Sequence, residues 1–366
     1  MSDATIRFFP VGNGDCTLLW VGETRVLVDL SPRIKRGDPH FDVDETRDAL
    51  LPLVKRDDGR YVIETFSLTH PDKDHLLYAE DLLHLGAPDE YDPESGRILV
   101  EEIIYVPASF DAVDQELSGD GKAIQREIDR RLGCDGTAGN VVSALLRPQD
   151  ASPAADRVFS VGDIIGSFGA SISDTRLSAL VYGPRATLDP QCRNDLSSIM
   201  QFRVTPAGSV SPVRLLLGGD APWEAWEDIH DNEDQEGFTY DLMLAPHHCS
   251  WSAFAASSDD EASKKVVELF EHRQDEAKVV ASSFAIKTEV RPPSEKAADI
   301  YKNIVGDSNF YCTGEYPQED ELQPIVFEIT SYGVKELPPE TGEKGGEGAA
   351  VASLIRRTPQ KYGSST

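Results

Sequence analysis

A chain of 366 residues with 35 Lys and Arg against 64 Asp and Glu carries a formal charge of −29, which opposes nonspecific adhesion to nucleic acid and to anionic lipid. Its length exceeds that of an ordinary domain, but a two-sheet sandwich carrying insertions accommodates it around one large core. The first residues hold no basic segment followed by an apolar one, and no apolar run is long enough to cross a bilayer, so the chain reads as soluble and cytoplasmic with no membrane partner.

β-rich runs at 5–9, 16–21 and 25–30 are separated by Gly-Asn-Gly-Asp and Gly-Glu, which predicts strands joined by tight turns at the start of a sheet. The glycines of Val11-Gly-Asn-Gly-Asp15 allow a turn that aims Asp15 along the sheet rim, although a plain hairpin turn is the commoner use of such a sequence. Over 43–56 the apolar positions Val43, Ala49, Leu50, Leu53 and Val54 predict an amphipathic helix packed on that sheet.

The next apolar run ends in Thr69-His-Pro-Asp-Lys-Asp-His75, which delivers two imidazoles and two carboxylates to one strand end. His70 and Asp72 lie two residues apart and face one side of an extended segment, so one cation can take both. Asp74 repeats the interval and His75 follows at a turn, offering oxygen and nitrogen to a second cation. A solvated polar loop is the alternative, and four such residues within six positions argue against it. A helix is predicted over 76–84, with His84 a surface or packing residue.

Residues 86–157 read as an elaborated insertion with one strand at 102–106 and one helix at 121–132, without ligand-spaced residues. A lid, a surface for a protein partner and a decoration are all compatible with it. Strands are predicted at 158–160, 164–168, 177–182 and 197–204. Between the last two, Asn194 in Arg-Asn-Asp-Leu-Ser can hold a substrate oxygen or a metal-bound water, or serve as a turn residue.

Val213-Arg-Leu-Leu-Leu-Gly-Gly-Asp220 repeats the strand-then-ligand pattern and places Asp220 to bridge two cations. A helix over 222–230 carries His230 towards solvent. Tyr240-Asp-Leu-Met-Leu-Ala-Pro-His-His-Cys-Ser brings adjacent imidazoles: His247, immediately past the strand, is preferred as the ligand completing the second site, while His248 can coordinate instead or donate to substrate. Ser250 is assigned to substrate binding. Cys249 reads as a bystander thiol in preference to a soft ligand. The five cysteines form no C-x-x-C pair and no evident disulfide framework, so free thiols are expected.

A solvated helix over 259–278, a strand over 278–286, a helix over 294–305 and strands over 309–313 and 324–330 complete the predicted domain, 1–337. The composition beyond 338 predicts a disordered tail.

The motif His70-Pro-Asp-Lys-Asp-His75 resembles the metallo-β-lactamase-fold signature H-x-H-x-D-H with Asp72 replacing its second histidine, a variant of the ComEC-like hydrolase group of DNA-uptake proteins. Val11-Gly-Asn-Gly-Asp15 resembles that group's V-G-Q-G-D opening, and Asp29 matches the aspartate closing its third strand. Asp29 can back a ligand or coordinate directly, the first being preferred. Asn194 falls where many relatives place a histidine, Gly219-Asp220 matches L-L-x-G-D, and Pro246 to Ser250 resembles P-H-H-G-S with Cys249 for glycine. Arg291 stands where relatives carry histidine and offers a cation for phosphate or carboxylate.

The resemblance implies an αββα sandwich of α/β class and a metallohydrolase. The residue pattern assigns His70 and Asp72 to one cation, Asp74, His75 and His247 to another, and Asp220 to both. Catalytic roles fall to Asp74, Asp220, Asn194 and His248. Two divalent ions about 3.5–4 Å apart activate a shared water; zinc and manganese suit the mixed donors, with magnesium third. The resemblance points to phosphodiester cleavage in DNA or small nucleotides. Hydrolysis of a lactone or ester and a metal-stabilised interaction module without turnover are the alternatives.

Overall fold

Three short strands at the N-terminus set the pattern for the whole molecule. In Thr24–Val28, Val26 and Val28 turn to one face and Leu27 to the other, yet all three are buried. A strand buried on both faces requires packing partners on both sides. The computed structural model, which describes residues 4–32, 39–112, 116–170, 174–185, 187–189, 191–233, 237–287 and 292–339, supplies them.

Among the described residues the first sheet runs in the order Gly333–Glu336, Ile325–Thr330, Ala4–Phe8, Thr17–Val21, Thr24–Val28, Val62–Ser67, Ile98–Tyr105, Val141–Leu146, Arg157–Ser160. It is antiparallel as far as Thr24–Val28 and parallel from there on. The second sheet runs Phe310–Cys312, Lys278–Ala281, Leu242–Leu244, Val213–Leu217, Ile199–Val204, Leu177–Gly183, Ile164–Ile165, parallel at the first end and antiparallel at the second.

The two sheets pack face to face through Ile6, Val26, Val28, Phe202, Leu215 and Leu217. Leu27 and Phe66 turn outward under Leu50 and Leu53 of the helix Val43–Val54 and Ile124 and Ile128 of Gly119–Leu132. Leu216 and Met243 turn outward under Trp226, Phe270 and Tyr301 of the helices Trp223–Asn232, Lys264–Glu271 and Glu295–Val305. The architecture is therefore an αββα sandwich of two mixed sheets. No helix among the described residues is long and apolar enough to cross a membrane.

Several boundaries differ from expectation. Residues 86–157 are built into the first sheet, where Ile98–Tyr105 and Val141–Leu146 form parallel strands and Gly119–Leu132 packs on their outer face. The expected helix at 76–84 is one turn, Ala79–Leu82, after which Leu83–His84 pairs with Ile98–Tyr105. The helix in 259–278 is Lys264–Glu271, and its Val266, Leu269 and Phe270 are buried, so it packs on the second sheet rather than standing in solvent. The tail expected to be disordered lies, from 340 on, outside the described residues.

Candidate metal centre

Parallel strands from both sheets end at one rim, and each ends in a polar side chain. Past Val62–Ser67 come Thr69 and His70; past Thr24–Val28 comes Asp29; past Val213–Leu217 comes Asp220; past Leu242–Leu244 come His247 and His248. The loops are fastened to one another. Asp15 N–H donates to the Asp74 carbonyl at 2.9 Å and Ser31 Oγ to the Lys73 carbonyl at 2.8 Å, so the Gly-Asn-Gly-Asp turn braces the His-Pro-Asp loop. Gly219 has φ of 51° and lies so close to Thr69 that a Cβ there would stand 2.8 Å from the Thr69 Cβ. That approach brings the loop of one sheet onto the loop of the other.

Asp220 lies at the centre. Its Oδ1 is 2.8 Å from His75 Nε2 and 3.8 Å from His248 Nε2; its Oδ2 is 3.3 Å from His247 Nε2 and 4.0 Å from His70 Nε2. Four imidazoles thus converge through Nε2 on one carboxylate, two to each oxygen. Behind them stand oxygens that fix the rings. Asp29 Oδ2 is 2.8 Å from His75 Nδ1, Ser252 Oγ is 2.8 Å from His247 Nδ1, and Thr69 Oγ1 is 3.2 Å from His70 Nδ1. Asp15 Oδ1 faces His248 Nδ1 at 3.5 Å. Asp29 is itself held by the Thr69 N–H and Oγ1 at 2.8 and 2.7 Å. Backing an imidazole with a carboxylate fixes its tautomer and raises its basicity as a ligand.

The electrostatics follow from burial. Desolvation opposes charge on every group here, and the outcome depends on the neighbours. His70 is pushed down to about 3 by its burial and the adjacent His75. Burial also works against His248, but Asp220 and Asp15 overcome it and hold this imidazole up at about 10. Asp220 and Asp29 likewise raise His75 despite its burial. Asp220, although wholly buried, is held well below the usual carboxylate range by His247, His75 and His248.

Ligand atoms of Asp74, His75, Asp220 and His248 lie within 4.8 Å of one another, as do those of His70, Asp72 and Asp74 and those of Asp15, Asp29 and His75. The structure therefore brings His70, Asp72, Asp74, His75, Asp220, His247 and His248 to one place. It differs from expectation in the adjacent pair: His248, not His247, stands beside Asp74, at 3.6 Å, while His247 faces the other oxygen of Asp220. Both residues have left-handed backbones, with φ of 51° and 55°, and this turn separates their rings.

The cleft above the centre has a volume of about 530 Å³ and is lined by Asn13, Lys73, Asn194, His247 and Phe284 among others. Asn194 is thus at the cleft wall. Ser250 stands behind His247: its Oγ accepts from the Ser252 N–H at 3.2 Å and the Ser252 hydroxyl at 2.9 Å, which supports the hydroxyl beside His247. Cys249 is buried with Sγ towards the Ser294 carbonyl at 3.9 Å, and it belongs to none of the ligand groups. Arg291 lies outside the described residues. Arg193, to which the sequence pattern assigns no role, is buried beneath the cleft and ion-paired with Asp72. An acid-rich loop that must be buried calls for a cation, and the Arg-Asn dipeptide is where the sequence holds it.

No family model matches the sequence, and no curated protein matches it. Solved structures similar in outline include the metallo-β-lactamase fold protein YhfI from Bacillus subtilis, at 9% identity and a TM-score of 0.36 over 84% of this chain and 95% of that one. Unliganded yeast PDE1 aligns at 9% identity and a TM-score of 0.37 over 85% and 97%, and a diphosphatase from the PhnP family at 10% and 0.34 over 84% and 94%. These likenesses are distant and concern outline alone; the chemistry of the centre is set by its own side chains.

Proposed function

We propose that this chain is a metal-dependent hydrolase of phosphodiesters with a two-cation centre. The division of Asp220 carries the reading: one buried carboxylate presents each oxygen to a different pair of imidazoles. The donors also fit divalent cations by what they lack. His70 Nε2 and His248 Nε2 are buried without a hydrogen-bond partner, an expensive arrangement unless something else satisfies them. Five carboxyl groups, Asp15, Asp29, Asp72, Asp74 and Asp220, gather around one buried guanidinium, Arg193, an excess of oxygen donors that divalent cations would satisfy.

One cation would take His70, Asp72, His247 and Asp220 Oδ2; the other, Asp74, His75, His248 and Asp220 Oδ1. The mixed nitrogen and oxygen donors suit zinc or manganese, and magnesium less. Divalent cations held there supply Lewis acidity and an activated water for hydrolysis. The chain's own residues do the rest. Asp29, Asp15, Thr69 and Ser252 hold the rings in register, Lys73 offers a charge at the cleft for a substrate anion, and Asn194 offers an amide to orient an oxygen.

Phosphodiester substrates are favoured by the resemblance of the Gly-Asn-Gly-Asp, Arg-Asn, Gly-Asp and Pro-His-His segments to the ComEC-like group. The cleft volume and the charge of −29 favour a nucleotide or a short single strand over duplex DNA. The test is hydrolysis of bis(p-nitrophenyl) phosphate and single-stranded DNA with manganese, beside elemental analysis, for wild type and Asp220→Ala. The expected result is turnover by wild type, with activity and metal both lost in the variant. Turnover of lactones or carboxylic esters with neither phosphodiester touched would move the substrate to carbonyl compounds, and an Asp220→Ala protein that keeps its metal would sink the bridging role.

A further inference from the structure

Arg193 is only 1% exposed, which is uncommon for a guanidinium, and its position is fixed from three sides. Nε donates to the Ser109 carbonyl at 3.1 Å, Nη2 to the Ala112 carbonyl at 3.4 Å, and Nη1 to Asp72 Oδ1. The two carbonyls belong to the short helix Pro107–Asp111 and the residue after it, so the cation is anchored to the first sheet's own connection and held against the His-Pro-Asp loop.

The consequence falls on Asp72. One of its oxygens belongs to Arg193, and only Oδ2 is turned to the centre, 3.8 Å from His70 Nε2. Its negative charge is already neutralised within the protein. The other ligand group differs. Asp220 serves both groups, but Asp74 pairs with the His248 imidazole and with no guanidinium, and two imidazoles of this group, His75 and His248, have the further carboxylates Asp29 and Asp15 behind them. Cation affinity in such sites follows the charge of the donors as well as their number.

We infer that Arg193 is a positioning residue that makes the two metal positions unequal: by holding Asp72 to a single free oxygen it weakens the position at His70, Asp72, His247 and Asp220 Oδ2, while the position at Asp74, His75, His248 and Asp220 Oδ1 binds tightly. This inference rests on the two-cation reading of the centre. The centre fills in order, tight position first, and the weak position is occupied only when the cation is abundant or when substrate adds its own oxygen ligand.

The experiment is calorimetric titration of the chelator-stripped protein with Zn²⁺, with elemental analysis after gel filtration and circular dichroism to establish folding. Wild type should bind one tight equivalent and a second weaker by on the order of tenfold or more. Arg193→Gln, which frees Asp72, should tighten the second equivalent by on the order of tenfold. Asp72→Asn should lose the second equivalent and keep the first, and this variant decides the matter if Arg193→Gln does not fold. Two equivalents of equal affinity in wild type, a folded Arg193→Gln protein whose second equivalent binds no more tightly than in wild type, or an Asp72→Asn protein whose binding is unchanged or whose tight equivalent is lost, would overturn the inference. A wild-type protein that binds no Zn²⁺ at all would overturn the two-cation reading itself.

Discussion

At the scale of single residues, the separation of His247 from His248 decides which ligand matters most. Their left-handed turn sends one ring to Asp220 Oδ2 at 3.3 Å and the other between Asp74 and Asp15, at 3.6 and 3.5 Å. His248 is also buried, whereas the His247 side chain is 22% exposed at the cleft. Removing His248 deletes the donor that stands between Asp74 and Asp15 and strands both carboxylates. His248→Ala should therefore lose its bound metal on gel filtration, with affinity weakened roughly a hundredfold or more, while His247→Ala keeps about one equivalent. The reverse order, read by elemental analysis, would exchange their roles. Sequence offers no means of choosing between adjacent imidazoles, because the choice is made by φ at two residues where a non-glycine side chain disfavours that value. The convergence of these side chains is legible, since His70, Asp72, Asp74, His75 and Asp220 all follow apolar runs that form strands ending at one rim.

The parallel end of the first sheet is harder to read, and its polar interior explains why. Glu102 lies within Ile98–Tyr105, opposite Thr65, and accepts from Thr65 Oγ1 at 2.9 Å, the Gly169 N–H at 2.7 Å, Arg157 at 3.0 Å and Ser143. These partners come from three further strands and the loop after them, so one carboxylate ties the end of the sheet together. In the sequence the same residues interrupt the apolar pattern that marks a buried strand, and 86–157 reads as a segment apart. Burial raises the Glu102 carboxyl above its ordinary value, with Arg157 opposing. The folded protein then keeps this proton to higher pH than the unfolded chain does, so stability contributed here falls as pH rises from about 4.5 through the folded value. Glutamine has no such titration. The stability of Glu102→Gln relative to wild type should thus increase between pH 4.5 and 8, by about 1.4 kcal/mol for each unit by which the folded value is raised. Urea unfolding of both proteins across that range checks it, and parallel stability profiles would refute it.

For the molecule as a whole, charge and the site pull in opposite directions. The αββα architecture gathers a locally cation-seeking centre at one rim, yet the surrounding protein carries a formal charge of −29. A polyanion approaching that rim meets repulsion reaching about 30 Å at 0.01 M ionic strength and only about 8 Å at 0.15 M. A basic groove would release counterions on binding and lose affinity as salt rises; an acidic surface does the opposite, because added ions screen the repulsion. With the free divalent cation concentration held constant, kcat/KM for a single-stranded oligonucleotide should therefore rise several-fold between those two ionic strengths. The value for bis(p-nitrophenyl) phosphate, a small monoanion, should change much less, since its encounter with the same field involves one charge. A steep fall with salt for the oligonucleotide would show instead that a positive strip guides it to the centre, and the preference for short substrates would have to be abandoned.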